Sequence, residues 1–297
     1  MKLNNVAIRY YEDYAEINRK FLRAARDVEP TPIFVVLSTD TPFTPHTRCI
    51  SQTQTLSGQT SSGQTSSGQA SSGSIIKRTL NGDGIYNEAD ASVCSLGFWA
   101  RDNENEILNY LVTAGHCFND SVSASLQKFD YFPWELQRPY YFLGEMVESD
   151  YNISTYDFAL INITGRDVGQ TTIIRNTDSE KYKELIIEGS NIITSYGAHF
   201  CKSGLSSHVT CGYVKGLGAV TAYLKEGEIR ENLIYYGQDN FKISCEGDSG
   251  GSAFSYLRDL SIVGLNGIHT GAMEDFSESL PLIEILREGE LEFVRAQ

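Results

Sequence analysis

The chain has 297 residues, a formal net charge of −14 at pH 7 and 41% hydrophobic residues. That length and apolar content can fill two ordinary cores without metals or dense crosslinks, and acidity spread without a run of like charges argues against a nucleic-acid partner. No stretch approaches the roughly 18 consecutive apolar residues of a membrane helix, and residues 1–25 are too charged to hold a signal-peptide core, so no membrane association is expected.

Residues 1–50 form the first expected unit. An apolar run lies near Val6 to Tyr10; Tyr14, Ile17, Phe21, Leu22 and Ala25 then recur at three- and four-residue intervals until Pro30 and Pro32, and a β-rich run spans Ile33 to Leu37. This predicts a strand-helix-strand piece, too small to bury a core of its own. From Ser51 to Ser74 the composition collapses to Ser, Gly, Gln and Thr, with a five-residue repeat in Ser61–Thr65 and Ser66–Ala70. Such a tract has almost nothing to bury and reads as a flexible linker at residues 51–74.

Residues 75–297 read as an all-β domain in two halves, about 75–175 and 176–297. Short β-rich runs fall at Ser95 to Ala100, Ile107 to Thr113, Phe158 to Ile163, Leu185 to Tyr196, Val209 to Val214, Ala219 to Tyr223, Gly251 to Tyr256 and Ser261 to His269. Asp102 to Asn105 marks a hairpin turn between the first two. The aromatic-rich stretch holding Tyr131, Phe132, Trp134, Tyr140, Tyr141 and Phe142 is open to two readings, a substrate-facing loop or a locally packed insertion. Pro281 to Glu288 predicts one late helix, followed by a strand at Leu291 to Val294.

The six cysteines include no Cys-x-x-Cys pair, and the five histidines lack zinc-ligand spacing. Crosslinks are therefore expected, with no metal and no cofactor, in an oxidising compartment. Sequons at Asn119, Asn152 and Asn162 agree weakly with secretion.

Three separated strings carry the chemistry: Thr113-Ala114-Gly115-His116-Cys117, Tyr156-Asp157-Phe158-Ala159-Leu160 and Gly247-Asp248-Ser249-Gly250-Gly251. A serine hydroxyl is a poor nucleophile near neutral pH, so it needs an imidazole to take its proton and a carboxylate to orient that imidazole. Ser249, His116 and Asp157 fit these roles. The glycines beside Ser249 permit a tight turn that aims N–H groups at a developing oxyanion, with Gly247 and Ser249 the expected donors. Each string alone is equally compatible with a turn, a core histidine or an edge carboxylate; as an ordered set they are not.

The histidine and serine strings resemble those of trypsin-like, chymotrypsin-fold serine proteases. Asn81 to Tyr86, Cys94 to Phe98, Cys201 to Gly204 and Thr210 to Gly212 are similar to the streptogrisin and α-lytic protease group. Residues 1–45 more loosely resemble the end of that group's pro-region. The resemblance implies two packed six-stranded antiparallel β-barrels with a C-terminal helix, preceded by a fragment of pro-segment. It implies a secreted, monomeric serine endopeptidase, made as a precursor, that acts on polypeptide substrates and has its own pro-segment as a partner in cis. It further implies bridges Cys94–Cys117 and Cys201–Cys211. Lys202 would either neutralise Asp248 or lie solvated. The strand Gly267 to Ala272 would bind substrate, with Glu246, His269, Thr270, Gly271 and Ala272 at the specificity pocket.

The sequence departs from the pattern at several points. Cys245 lacks its usual later partner, so it is expected to be free, with pairing to Cys49 the alternative. Thr270 and Ala272 replace a serine and a glycine. His269 stands where glutamate-specific relatives carry a pocket histidine, which makes a preference for acidic side chains one hypothesis, while Glu246 at the rim would repel an acidic side chain. Two other function classes remain: a binding or regulatory protein that kept the fold without turnover, and a tethered surface module using the linker as a stalk.

Overall fold

The computed structural model describes residues 7–11, 15–16, 19–27, 33–37, 77–118, 122–123, 127–134, 139–147, 153–223, 228–239, 241–273 and 276–296. The expected linker, Cys49 and the sequon asparagines Asn119 and Asn152 lie outside these residues. The leading segment holds strand β1 (Ala7–Tyr11), helix α1 (Arg19–Arg26) and strand β2 (Ile33–Leu37), as expected. β1 and β2 pair in parallel, Ala7 opposite Ile33 through Tyr11 opposite Leu37. Helix α1 buries Leu22 and Ala25, three residues apart on one face. Phe21, placed on the same stripe by spacing, is instead exposed.

After β3 (Lys77–Arg78) come β4 (Gly84–Asn87), β5 (Val93–Ser95), β6 (Phe98–Asp102) and β7 (Asn109–Thr113). A 3₁₀ turn at Gly115–Cys117 leads to β8 (Lys128–Phe132), β9 (Tyr141–Met146), helix α2 (Ile153–Tyr156) and β10 (Ala159–Asn162). Then follow β11 (Val168–Gly169), β12 (Ile173–Arg175), β13 (Glu184–Ser190), β14 (His199–Gly204), β15 (His208–Tyr223), β16 (Glu228–Gly237), β17 (Ser252–Tyr256), β18 (Ile262–Met273), β19 (Phe276–Pro281), helix α3 (Leu282–Glu288) and β20 (Leu291–Phe293).

Apart from β3 and β11, which pair in parallel with one another, these strands build two curled sheets, which bears out the expected all-β architecture. The first runs β20-β6-β7-β10-β9-β8-β4-β5. In the second, β18, β17, β14, β15, β16 and β19 pair in turn and β19 pairs back to β18, closing a six-stranded ring to which β13 and β12 are appended. Closure removes the exposed edges that a long sheet would otherwise present. One buried cluster draws Phe98, Val112 and Phe158 from the first sheet and Leu233, Phe254 and Leu265 from the second, so the sheets share a core.

Several local expectations change. The aromatic stretch supplies β8 and β9 of the first sheet; Phe129, Tyr131 and Phe132 and, just past β8, Trp134 are buried, with Tyr140 exposed before β9, so the stretch is locally packed, as one of the two readings had it, but as regular sheet strands. The run expected to reach Tyr196 ends at Ser190. Val209 to Val214 and Ala219 to Tyr223 are parts of one strand, β15, whose register shifts near Gly216 disguised their continuity. The helix and final strand fall at the expected places, with Leu282, Ile285 and Leu291 buried.

Candidate active site

His116 sits in the 3₁₀ turn that ends β7, and Asp157 follows α2 at the start of β10, the strand paired with β7. That pairing sets Ala159 opposite Thr113 and brings the two side chains together. Asp157 Oδ1 accepts the His116 backbone N–H at 2.9 Å, and Nδ1 of the imidazole lies 3.0 Å from each carboxylate oxygen. Asp157 is buried, and it adopts a left-handed backbone with φ of 31° that a non-glycine residue holds only under tertiary constraint. Burial works against the imidazolium, but the Asp157 charge and hydrogen bond outweigh it and hold His116 above its usual pKa.

Ser249 lies in the turn between β16 and β17. Its carbonyl accepts the Ser95 N–H at 2.7 Å, and the Gly250 N–H donates to the His269 carbonyl at 2.7 Å. Gly250 has a φ of 85°, and a Cβ there would fall 2.1 Å from Thr113 Oγ1, so the serine turn packs directly on the segment that carries His116. Gly247 has a φ of 92°, and a Cβ would fall 2.5 Å from Ser206 Oγ. Among the described residues neither the Gly247 nor the Ser249 N–H has an acceptor, whereas Asp248, Gly250 and Gly251 donate within the fold. Two neighbouring donors are thus left for an external oxygen. The Ser249 hydroxyl has no hydrogen bond to His116 among the described residues, a contact that commonly tightens only around substrate.

Asp248 turns inward. Lys202 Nζ lies 3.0 Å from its Oδ2 with both side chains fully buried. Oδ1 accepts the Ser206 and Ser207 N–H groups, each at 2.9 Å, and Oδ2 accepts the Cys245 N–H at 2.8 Å. Burial would raise the Asp248 pKa, yet Lys202 and the Ser207 hydroxyl bring it below the ordinary range, while burial lowers that of Lys202. Of the two readings for Lys202, the neutralising one describes the structure.

Disulfides join Cys94 to Cys117 and Cys201 to Cys211. The first staples the strand before β6 to the residue after His116. Cys245 is also disulfide-bonded, to a partner outside the described residues, so the expectation of a free thiol there is corrected. His199, Cys201 and Cys211 cluster closely enough for a metal, but the two sulfurs are bonded to one another and offer no thiolates.

The candidate substrate strand is the second half of β18, with His269 opposite Ser279 and Gly271 opposite Glu278 of β19. Glu246 and Ala272 are exposed, and Gly271 is half-buried. His269 and Thr270 are buried. His269 Nδ1 lies 2.9 Å from the Tyr236 hydroxyl, and burial, with Lys202 adding to it, pushes its pKa down to about 3. The imidazole is therefore neutral.

Two residues here had no sequence signal. Arg230 of β16 places Nη1 2.5 Å from Asp157 Oδ2, and Glu278 of β19 lies 3.7 Å from the same nitrogen. Arg230 belongs to Glu228-Ile229-Arg230-Glu231-Asn232, which reads as a solvated charged face. Only the register of the second barrel carries it inward.

Comparisons with known proteins bear on the family and the fold. The family model described as Trypsin matches residues 108–278. Thermobifida fusca Protease A superposes with a TM-score of 0.54 at 18% identity, covering 74% of this chain and all of that one. A structure titled "A glutamic acid specific serine protease utilizes a novel histidine triad in substrate binding" gives a TM-score of 0.54 at 22% identity, covering 73% of this chain and 100% of that one. For "Alpha-lytic protease homolog N4" the values are 0.52, 16%, 72% and 98%. Among curated proteins none matches the sequence. These structural likenesses show the fold.

Proposed function

The chain belongs to the trypsin family of serine proteases, and on that premise we propose that it is a serine endopeptidase in which Ser249 is the nucleophile. His116 takes the hydroxyl proton as Ser249 attacks the scissile carbonyl, then passes it to the leaving amine, while Asp157 stays ionised and fixes the imidazole tautomer. The Gly247 and Ser249 N–H groups receive the oxyanion of the tetrahedral intermediate. Water then resolves the acyl-enzyme by the same route. The observation that carries this reading is the 3.0 Å contact of His116 Nδ1 with a buried Asp157, beside a serine turn whose two backbone donors have no acceptor among the described residues.

The substrate is a polypeptide. Neutral His269 and exposed Glu246 support a preference for uncharged side chains at the cleaved bond over acidic ones. We further propose that residues 1–50 are a pro-segment in cis, joined by the 51–74 linker to the protease domain at 75–297, and that the enzyme is secreted and acts as a monomer. The bridges at Cys94–Cys117 and Cys201–Cys211 support an oxidising compartment, and no described helix is long and apolar enough to cross a membrane.

A fluorophosphonate probe is expected to label the protein at Ser249 and not the Ser249→Ala variant, and a peptide panel with Glu, Phe, Leu and Arg at the cleaved position is expected to show no enrichment for Glu. Equal labelling of both proteins, or none with an intact fold, would replace this reading with that of a protease-fold binding protein. Enrichment for Glu would overturn the specificity alone.

A further inference from the structure

A buried string of charge runs from the first sheet into the second, and the triad as usually drawn does not include it. Arg230 lies opposite Thr221 in the β15–β16 hairpin, and β16 packs against α2, the helix that ends beside Asp157. Its Nη1 is 2.5 Å from Asp157 Oδ2 and 3.7 Å from Glu278 Oε1. The Thr221 hydroxyl in turn donates to Glu278 Oε2 at 2.5 Å. Asp157, Arg230, Glu278 and Thr221 are 1%, 6%, 2% and 2% exposed, so bulk water cannot substitute for these contacts. A single-partner salt bridge would be simpler to build. Burying three charges in a row costs desolvation that close ion-pair geometry and further hydrogen bonds must offset, so such a row adds little stability by itself.

The carboxylate explains what it serves. Oδ1 of Asp157 is held by the His116 backbone, both oxygens face the imidazole, and the remaining direction at Oδ2 is filled by the guanidinium. The Thr270 hydroxyl, although buried, makes no hydrogen bond among the described residues. We propose that Arg230 is a positioning residue: reaching from the second sheet, it clamps Asp157 in the orientation His116 needs and, restrained by Glu278, limits how strongly that carboxylate draws a proton onto the imidazole. This rests on the triad reading above.

The electrostatics follow the geometry. The groups that bear on His116 are Asp157 beside it, Arg230 on β16, Glu278 on β19 and His269 on β18. Burial lowers the His116 pKa, Asp157 raises it, Arg230 lowers it and Glu278 raises it. Arg230 and Glu278 therefore act as opposed controls on one proton. A base that is too strong stays protonated and idle at working pH, and one that is too weak abstracts poorly, so the pair sets a compromise. A merely structural ion pair would shift the imidazole by its charge but leave kcat unchanged in a variant that folds, so the split between kcat and KM separates the two roles.

The test is a histidine NMR titration of the full chain, with His116 assigned by its loss in His116→Ala, run beside kcat/KM against pH. Arg230→Gln is expected to raise the His116 midpoint by about half to one pH unit and Glu278→Gln to lower it by a similar amount. The double variant is expected to return it towards the wild-type value. Arg230→Gln should also cut kcat about tenfold or more with KM within about twofold, and Arg230→Lys should restore the midpoint better than kcat, because an ammonium keeps the charge but not the planar fork. Midpoints that do not move, or that move the same way in both single variants, overturn the proposal. Should Arg230→Gln fail to fold, Glu278→Gln and Arg230→Lys decide it: a His116 midpoint that does not fall in Glu278→Gln, or a kcat that is unchanged in Arg230→Lys, overturns the proposal. The titration needs no turnover, so shifts in a protein that fluorophosphonate does not label would sink the catalytic reading alone, and labelling without shifts would sink the role of Arg230.

Discussion

At the scale of single residues, the site depends on groups whose protonation is fixed by burial. His269 is the sharpest case. Its pKa is about 3 in the fold against about 6.5 in an unfolded chain, so below pH 6.5 the unfolded state binds a proton that the native state refuses. Stability is then lost as pH falls from about 6.5 towards 3, at up to about 1.4 kcal/mol per unit. Between pH 6.5 and 4.5, wild type is expected to lose about 2 to 3 kcal/mol that His269→Gln does not, measured by denaturant unfolding at each pH. His116, whose pKa is raised, works in the opposite direction, and the stability that Asp248 contributes through its lowered pKa is fully present at these pH values and is lost only as pH falls through and below the ordinary carboxylate range. Glutamine keeps a polar group near Tyr236, so a loss equal in both proteins would assign the acid sensitivity elsewhere. The triad candidates were legible in the sequence because each sits in a local string whose backbone turn the chemistry itself demands. Arg230 and Glu278 were not, because nothing near either residue hints that β16 and β19 will aim them at one carboxylate.

At the scale of elements, most strands were legible from β-rich runs, and the failures share a cause. β16 opens with Glu228, Arg230 and Glu231, and β19 carries Ser277, Glu278 and Ser279, so neither shows a hydrophobic alternation. Both are held as strands by neighbours in a closed ring, where pairing overrides local preference. β8 and β9 were hidden by the opposite excess, an aromatic density in which the alternation of Phe129 and Tyr131 with Lys128 and Asp130 is broken by Phe132, buried next to Tyr131. The Cys94–Cys117 bridge pins the turn carrying His116 across 23 residues. Closing a loop of that size is worth about 3 kcal/mol in the chain-entropy account. Replacing both cysteines with alanine is expected to lower Tm by roughly 10 °C and to reduce kcat, read by thermal unfolding and peptide hydrolysis. An unchanged Tm would mean that strand pairing alone holds the histidine turn.

At the scale of the whole molecule, the division at the Ser/Gly/Gln/Thr tract rests on composition, and the test is deletion. Expressing residues 75–297 without the first 74 is expected to lower the yield of folded, probe-reactive protein several-fold, with recovery when residues 1–50 are supplied in trans. Equal yield from both chains would remove the assisting role from the leading segment and leave the protease domain unaffected. The two sheets also share one hydrophobic cluster and exchange Arg230 across their boundary, so loosening either half is expected to disturb the other.

The last strand reaches further still. Phe293 of β20 pairs with Ala100 of β6, and Leu291 with Asp102, so the first sheet borrows its outer edge from almost the far end of the polypeptide. A ribosome adding about 5 to 20 residues per second exposes β6 roughly ten to forty seconds before its neighbour has been made. Throughout that interval the half of the molecule holding His116 and Asp157 lacks the strand that completes its sheet, so the first sheet closes only after the second has been synthesised.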